Sequence, residues 1–287
     1  MKLRSPLVAL AALALANCGG TTGGNLISMP LQAGGVAHDG GPSLTFATGQ
    51  GWSVRLDQAQ VVLGPLYFNI DAPQPSVFRS GVVIVQATEQ FVVDLLDPSL
   101  HSVAGGADGE TGQAVSVEIG LYTAAQSYNQ TIPLPAPLAA DGQTGTAYLA
   151  GEATKDGAVI DFAGRVQISD ALVSALEPID DLARVAGAVC NLDFTTDSGA
   201  LQLRVNPAHW FDQANFCSLV PASASGGSDG GAVDGGGADG GAPMPVARPC
   251  APAAGRVYSW SDTNPFNTEV LSGLGGSVGV YQFDLGS

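Results

Sequence analysis

Basic side chains are scarce in this chain. Its 287 residues include 10 Lys plus Arg against 26 Asp plus Glu, so the formal net charge is −16. A nucleic-acid-binding surface needs a cluster of cationic side chains, and this chain has too few to build one. The composition therefore excludes a nucleic-acid partner, and the negative charge suits cationic or metal partners without selecting one.

Charged residues of either sign are also few, at 13%, whereas apolar residues make up 45%. Long amphipathic helices need more Glu, Lys, Arg and Leu than this. A fully disordered chain would not carry so many large apolar residues. With 39 Gly and 18 Pro, the remaining class is a strand-rich domain with glycine-rich attachments.

Short apolar runs of period two recur along the chain, bounded by Gly, Pro, Asn and Asp. Clear examples are residues 52–56, 115–121 and 201–205. Such patterns are typical of half-buried strands, and eight or more of them favour an antiparallel sandwich or barrel. We predict a mainly β fold, an antiparallel β-sandwich or a barrel-like relative, with one or two short helices within 169–185 and 212–219.

The N-terminus has the pattern of a secretory signal. Lys2 and Arg4 precede an uncharged apolar stretch of eleven residues, Pro6 to Ala16. This stretch is too short to cross a bilayer as a helix, which needs about 20 residues, but it fits the apolar region of a signal peptide. We therefore predict a signal peptide over residues 1–17.

The end of this segment and the next residue, Leu15-Ala16-Asn17-Cys18, resemble a bacterial lipoprotein signal. Asn17 departs from the small residue that is usual there. The resemblance implies cleavage before Cys18, a thioether-linked lipid and acyl chains such as palmitate, and hence the lipid bilayer as a partner. Gly19 resembles an outer-membrane sorting context, so the expected location is the cell envelope, lipid-anchored at the outer membrane. An ordinary secretory signal is the alternative.

The rest of the chain divides by composition into three parts. Residues 18–43 are predicted to be the lipidated N-terminus and a flexible tether, because they are glycine-rich and have little periodicity. Residues 44–287 are predicted to form a single β domain. A disordered insertion rich in Gly, Asp, Ala and Pro is predicted to interrupt it at 222–249.

Three cysteines remain besides Cys18, and an exported compartment allows them to form disulfides. Cys217 and Cys250 flank the glycine-rich insertion, and a bridge between them would close this loop. Cys190 paired with Cys217 is the competing arrangement. In the first case Cys190 is expected to be a buried, small apolar residue in a strand.

Histidines are the candidate metal ligands, with copper or zinc as the ion. His101 precedes Asp108 and Glu110, which could complete a site if one face carried all three. His209 lies eight residues before Cys217. The alternatives are a surface turn for His101 and a position at the edge of the core for His209. No cofactor is expected in the primary interpretation.

No catalytic set stands out. Gly275-Gly276-Ser277-Val278-Gly279 spells a nucleophile-elbow pattern, but no histidine follows it in the chain. Carboxylate pairs such as Asp94 with Asp97 leave open a carboxylate-based hydrolase, since two carboxylates suffice for glycoside hydrolysis. Trp52, Trp210 and Trp260 are expected to be core residues.

Gly51-Trp52-Ser53-Val54 and the segment VVLGPLYF at 61–68 resemble a group of uncharacterised exported lipoproteins of myxobacterial type, over most of residues 50–285. This resemblance implies a compartment and an architecture. A fainter similarity is to periplasmic copper-binding partner proteins of the methanobactin-associated type. It implies a metal site involving His101, His209 and Trp210.

These observations predict a lipid-anchored lipoprotein of the cell envelope that acts as a non-enzymatic binding or structural module for an unknown ligand. Two alternatives remain open. One is an envelope protein that binds a metal ion such as copper, and the other is the carboxylate-based hydrolase.

Overall fold

The computed structural model describes residues 23–38, 41–72, 81–121, 134–140, 143–168, 184–220, 250, 252–276 and 278–286. The predicted signal peptide, Cys18, the predicted insertion at 222–249 and most of the helix expected within 169–185 lie outside the described residues. Within them, no helix has the length and apolar character that a bilayer crossing requires.

Strands dominate the described part of the chain, as the period-two patterns predict, joined by two 3-10 helices and one α-helix. A helical turn is expected within 212–219. The 3-10 helix η2 lies inside this region, and the 3-10 helix η1 lies just before it. The elements are β1 (Leu26–Gly35), β2 (Leu44–Ala47), β3 (Ser53–Asn69), β4 (Val83–Ala87), β5 (Phe91–Asp94), β6 (His101–Glu110), β7 (Gly112–Leu121), β8 (Ala139–Ala140), β9 (Gln143–Thr144), β10 (Ala147–Lys155), β11 (Ala158–Val166), β12 (Arg184–Phe194), β13 (Leu201–Val205), η1 (Pro207–Phe211), η2 (Phe216–Leu219), β14 (Val257–Tyr258), α1 (Pro265–Leu274) and β15 (Tyr281–Leu285).

The 17-residue strand β3 is the centre of the sheet. Its first half pairs with β10 and β2, and its second half pairs with β4 and β7. The sequence pattern predicts a break at Gly64-Pro65, but the strand continues through this dipeptide. The register on β7 shifts between Leu63 and Leu66 instead, so a bulge replaces the expected break.

The sheet folds over itself to make two layers. Its path runs β14-β11-β10-β3-β4-β6-β1-β13-β15, and β12 joins through β7. Phe68 of β3 meets Phe194 of β12 and Phe283 of β15 edge-on, with ring centroids 5.5 and 5.4 Å apart. The predicted mainly β, sandwich-like fold is confirmed. The sheet is mixed rather than purely antiparallel, because β1 with β13 and β11 with β14 are parallel pairs.

Strand β1 lies inside the segment predicted to be a flexible tether, so that prediction is wrong for Leu26–Gly35. The strand is antiparallel to β6 on one side and parallel to β13 on the other. Leu31 and Ala33 are buried. Gly34 and Gly35 are tolerated in this strand because both of its edges are hydrogen-bonded to neighbouring strands. The side-chain pattern of β1 alone does not indicate these pairings. The folded domain thus begins well before Leu44.

A cluster of aromatic rings fills the space between β11 and the helices. We call Phe162, Phe211, Phe216, Trp260 and Phe266 the aromatic cluster. Phe162 of β11 contacts the other four, at centroid distances of 5.2 to 6.4 Å. The expectation that the three tryptophans are core residues is confirmed for all of them.

Candidate functional site

His101 lies at the start of β6 beside a carboxylate from the preceding loop. Its Nε2 is 2.7 Å from Oδ2 of Asp97; the His101 side chain is largely exposed and that of Asp97 is partly exposed. The other carboxylate oxygen of Asp97 accepts a 2.8 Å hydrogen bond from the Ser99 backbone N–H. The loop between β5 and β6 therefore holds the histidine in one orientation.

Arg204 of β13 fixes this loop to the body of the sheet. Its Nη1 donates to the carbonyl of Pro98 at 2.6 Å and to the carbonyl of Gly35 at 3.0 Å. The Gly35 N–H in turn donates to the carbonyl of Asp97 at 2.8 Å. The guanidinium of Arg204 thus ties the loop to the end of β1 through two hydrogen bonds.

A polar groove of about 560 Å³ lies between this loop and the middle of β3. We call it the acidic groove, because three carboxylates line it and no lysine or arginine does. Its chemistry-bearing residues are Asp57, Gln58, Gln60, Asp94 and Asp97. The pairing of Gln60 with Asp94 across β3 and β5 brings the two segments together. The groove would repel anionic ligands and accept hydrogen-bond donors.

The resolved pKa shifts in the groove point away from acid catalysis. The backbone N–H of Ser99, then His101, lower the pKa of Asp97 to about 2. Partial burial pushes the pKa of Asp57 upward, but hydrogen bonds from Arg55 and Ser43 outweigh it and leave that pKa lowered. A general acid of a glycosidase needs a raised pKa. These two carboxylates therefore do not suit the acid role that the hydrolase alternative requires.

We expect the Asp97 carboxyl to titrate near pH 2 in the folded protein, below its ordinary value of 3.8. Because the folded pKa is depressed, the interaction stabilises the fold above the unfolded value, and this contribution disappears as the pH falls through about 2. Carbon NMR of the carboxyl group measures the titration. His101→Gln should raise the pKa only in part, since the Ser99 N–H still donates. A wild-type carboxyl that titrates at its ordinary pKa would contradict this prediction.

His209 stands in η1, which Asn206 caps by accepting from the Ala208 N–H. Its Nδ1 is 3.0 Å from Oδ2 of Asp212. Its Nε2 lies against Gly279, a residue with φ of +74°, where an added Cβ would come within 2.8 Å of the nitrogen. Glycine is therefore required at position 279 for the ring to sit as it does.

The structure does not bring the expected metal ligands together. Asp108 and Glu110 are at the opposite end of β6 from His101, since Glu110 pairs with Leu26 and His101 with Ala33. Seven residues of strand separate these levels, which is roughly 23 Å. The idea that these carboxylates complete a site with His101 is therefore wrong.

The two histidines themselves lie on elements that flank β1, His101 in β6 and His209 just beyond β13. Each is held by its own local aspartate. In the described part of the chain, no group of three or more His, Cys, Asp or Glu side chains has a geometry that could hold a metal ion. A shared site for both histidines gains no third ligand from the described residues.

The predicted disulfide between Cys217 and Cys250 is confirmed, with the two Cα atoms 5.4 Å apart. Cys190 is the free cysteine among the described residues, and it packs partly buried against the core. Burial raises the pKa of its thiol to about 11. Because the thiolate is the nucleophile, Cys190 does not suit a catalytic role at neutral pH.

Sequence reasoning missed the acidic groove. Asp57 and Asp94 are far apart in the chain, and only the register of β3 against β5 places them on one surface. The pair Asp94 and Asp97 was visible in the sequence, but nothing in its spacing distinguished it from other acidic pairs. The Asp97-Pro98 turn was the available signal for a loop that presents polar groups.

Comparison with known proteins gives little further information. No protein-family model matches the chain, and no curated protein matches it. The chain is similar to a solved structure of MbnP from Methylosinus trichosporium, with 8% sequence identity and a TM-score of 0.32, over 67% of this chain and 80% of that one. MbnP is methanobactin-associated, as in the fainter sequence resemblance. At this TM-score the likeness carries no argument about function, and the resemblance to myxobacterial lipoproteins is unsupported.

Proposed function

We propose that this chain is an acylated lipoprotein of the cell envelope, and that its β-sandwich serves as a non-enzymatic binding or structural module. The observation that carries the proposal is how closely the lipobox-like Cys18 precedes β1, which begins at Leu26 and is paired on both edges. A strand paired into the sheet so few residues after the anchor would keep the domain close to the membrane.

The chemistry of the described surface supports a module without a reaction. In the acidic groove, the Asp97 carboxylate and the Pro98 carbonyl hold the loop between β5 and β6, through Ser99, His101 and Arg204. The free thiol has a raised pKa. Neither arrangement supplies an activated nucleophile or a general acid.

Replacing Cys18 by alanine should release the protein from membranes. Without the thiol no acyl chain can be attached, and an anionic domain gains little attraction from anionic headgroups. Detergent phase partitioning of cell extracts measures the change, and intact mass of the wild-type protein identifies the lipid. Cys190→Ala is the matched control and should stay in the membrane fraction. An unacylated wild-type protein that begins at Gly19 or later would refute the proposal.

Metal binding is the second candidate, and one observation favours it. His101 and His209 are each hydrogen-bonded through one ring nitrogen to an aspartate. Carboxylates in this position orient metal-ligating histidines and fix their tautomer. The opposite nitrogens, Nδ1 of His101 and Nε2 of His209, are the atoms that copper or zinc would take.

Calorimetric titration of the mature chain with Cu²⁺ or Zn²⁺ tests this candidate. Uptake at micromolar affinity that falls at least about tenfold in His209→Ala would support it. His38→Ala is the matched control, because both ring nitrogens of His38 are within hydrogen-bond distance of backbone carbonyls, at 3.3 and 3.2 Å. Uptake that is equal in the wild type, His209→Ala and His38→Ala would exclude His209 as a ligand, and undiminished uptake in His101→Ala would exclude His101.

A further inference from the structure

The end of the sandwich at which β1 begins is fixed to the turn between β6 and β7. Leu26 is in register with Glu110. Ahead of the strand, the Thr111 N–H donates to the Asn25 carbonyl at 2.8 Å, and the Asn25 N–H donates to Thr111 Oγ1 at 2.9 Å. The chain is therefore held to this turn from Asn25 onward. We call this turn and the start of β1 the proximal end.

The stretch between Cys18 and this attachment is short. Asn25 is seven positions after Cys18 in the sequence, and a fully extended chain over seven positions spans at most about 25 Å. From Leu26 to Gly35, β1 itself extends roughly 30 Å. The link is thus shorter than the strand that it leads into.

We infer that the proximal end faces the phospholipid bilayer, and that the opposite end, which carries the loop between β5 and β6 and the acidic groove, is directed away from it. The inference rests on the proposed acylation of Cys18. An anchor with so short a link cannot let the domain turn end over end, because the far end of β1 lies beyond the reach of the link.

The surface chemistry at the proximal end shows what holds it there. Leu26 is 85% exposed and Val82 is 45% exposed, which suits transient contact with the headgroup region. The groove beside them, of about 730 Å³, contains Asp108 and Glu110 and no lysine or arginine. Acidic side chains are not attracted to anionic headgroups. The orientation therefore comes from the length of the covalent link, and raised salt should not change it.

Fluorescence quenching by bromine-labelled lipid in vesicles of the acylated full chain measures this orientation. One fluorescent non-natural residue replaces either exposed Gln113, near the proximal end in β7, or exposed Ser99, whose carbonyl lies against Gly34 near the other end of β1. Quenching at position 113 should exceed that at position 99 by about threefold or more, since the levels differ by most of the length of β1.

A lengthened link supplies the control. Insertion of about 20 Gly and Ser residues after Gly20 should reduce quenching at position 113 and remove most of the difference between the two positions. Intact mass is measured on every sample. Absence of the acyl group would refute the proposed function. Equal quenching of the two positions in acylated protein, or a difference that survives the insertion, would overturn the inferred orientation alone.

Discussion

Replacing Cys217 and Cys250 together by serine should lower the free energy of unfolding by roughly 4 kcal/mol. The two cysteines are 33 residues apart in the sequence, and opening a loop of this size restores that much conformational entropy to the unfolded chain. The bridge also joins η2, whose Phe216 belongs to the aromatic cluster, to the segment that leads into β14 and α1. Urea unfolding of the full chain, followed by tryptophan fluorescence, measures the loss.

Cys190→Ser provides the control for this experiment. The thiol of Cys190 is only partly buried and makes a long contact of 3.7 Å to the Ala114 carbonyl, so a hydroxyl should cost about 1 kcal/mol or less. Wild-type protein treated with a reductant should behave like the double variant. If reduction leaves the midpoint of unfolding unchanged, the bridge does not constrain the unfolded chain.

Phe162→Ala should cost about 3–5 kcal/mol of stability, the range for a large aromatic side chain removed from a core. Phe162 is 1% exposed and contacts four rings that come from η1, η2, α1 and the segment before α1. The cavity would therefore loosen the helices from β11 as well as lose apolar burial. Calorimetry and urea unfolding report the change.

Val159→Ala is the matched substitution in the same strand. Val159 points to the solvent side of β11 and is 48% exposed, so its truncation should change stability by no more than about 0.5 kcal/mol. Comparable losses in the two variants would show that the aromatic cluster is not the element that ties the helices to the sheet.

The strands that the sequence predicts correctly are those in which every second side chain is apolar and these apolar side chains face the core. In β13, Leu201, Leu203 and Val205 are buried and alternate with partly exposed Gln202 and Arg204. In β7 the apolar residues Val117, Ile119 and Leu121 recur at every second position and are buried, although Ser116 is buried as well. Each of these strands has one apolar face, so its apolar residues recur at every second position and the strand can be predicted from the local sequence.

Strand β1 could not be predicted in this way. Its sequence, LISMPLQAGG, contains proline and two glycines, which ordinarily indicate a loop. The strand forms because β6 and β13 supply hydrogen bonds on both sides, and these partners follow it by about 70 and 170 residues. The residue preferences of β1 itself therefore do not reveal its pairing with strands so distant in the chain.

Helix α1 carries conventional signals that the apolar patterning concealed. Asn264 caps it by accepting from the Phe266 N–H, and Pro265 occupies its first turn. Both residue types are typical of a helix start. The acidic groove had no comparable signal, because its position depends on the register of β3 against β5, a pairing between segments about 30 residues apart in the chain.

The place of β1 in the sheet sets the timing of folding. Among the described residues, the strand nearest the N-terminus pairs in parallel with one in the last third of the chain, with Leu31 opposite Leu201. Until about 170 further residues have emerged from the ribosome or passed a translocation channel, this strand has one edge without its native neighbour. Pairings so distant in sequence slow folding and leave strand edges open to aggregation. A nascent chain with this topology should therefore depend on chaperones that hold it unfolded until its C-terminal third arrives.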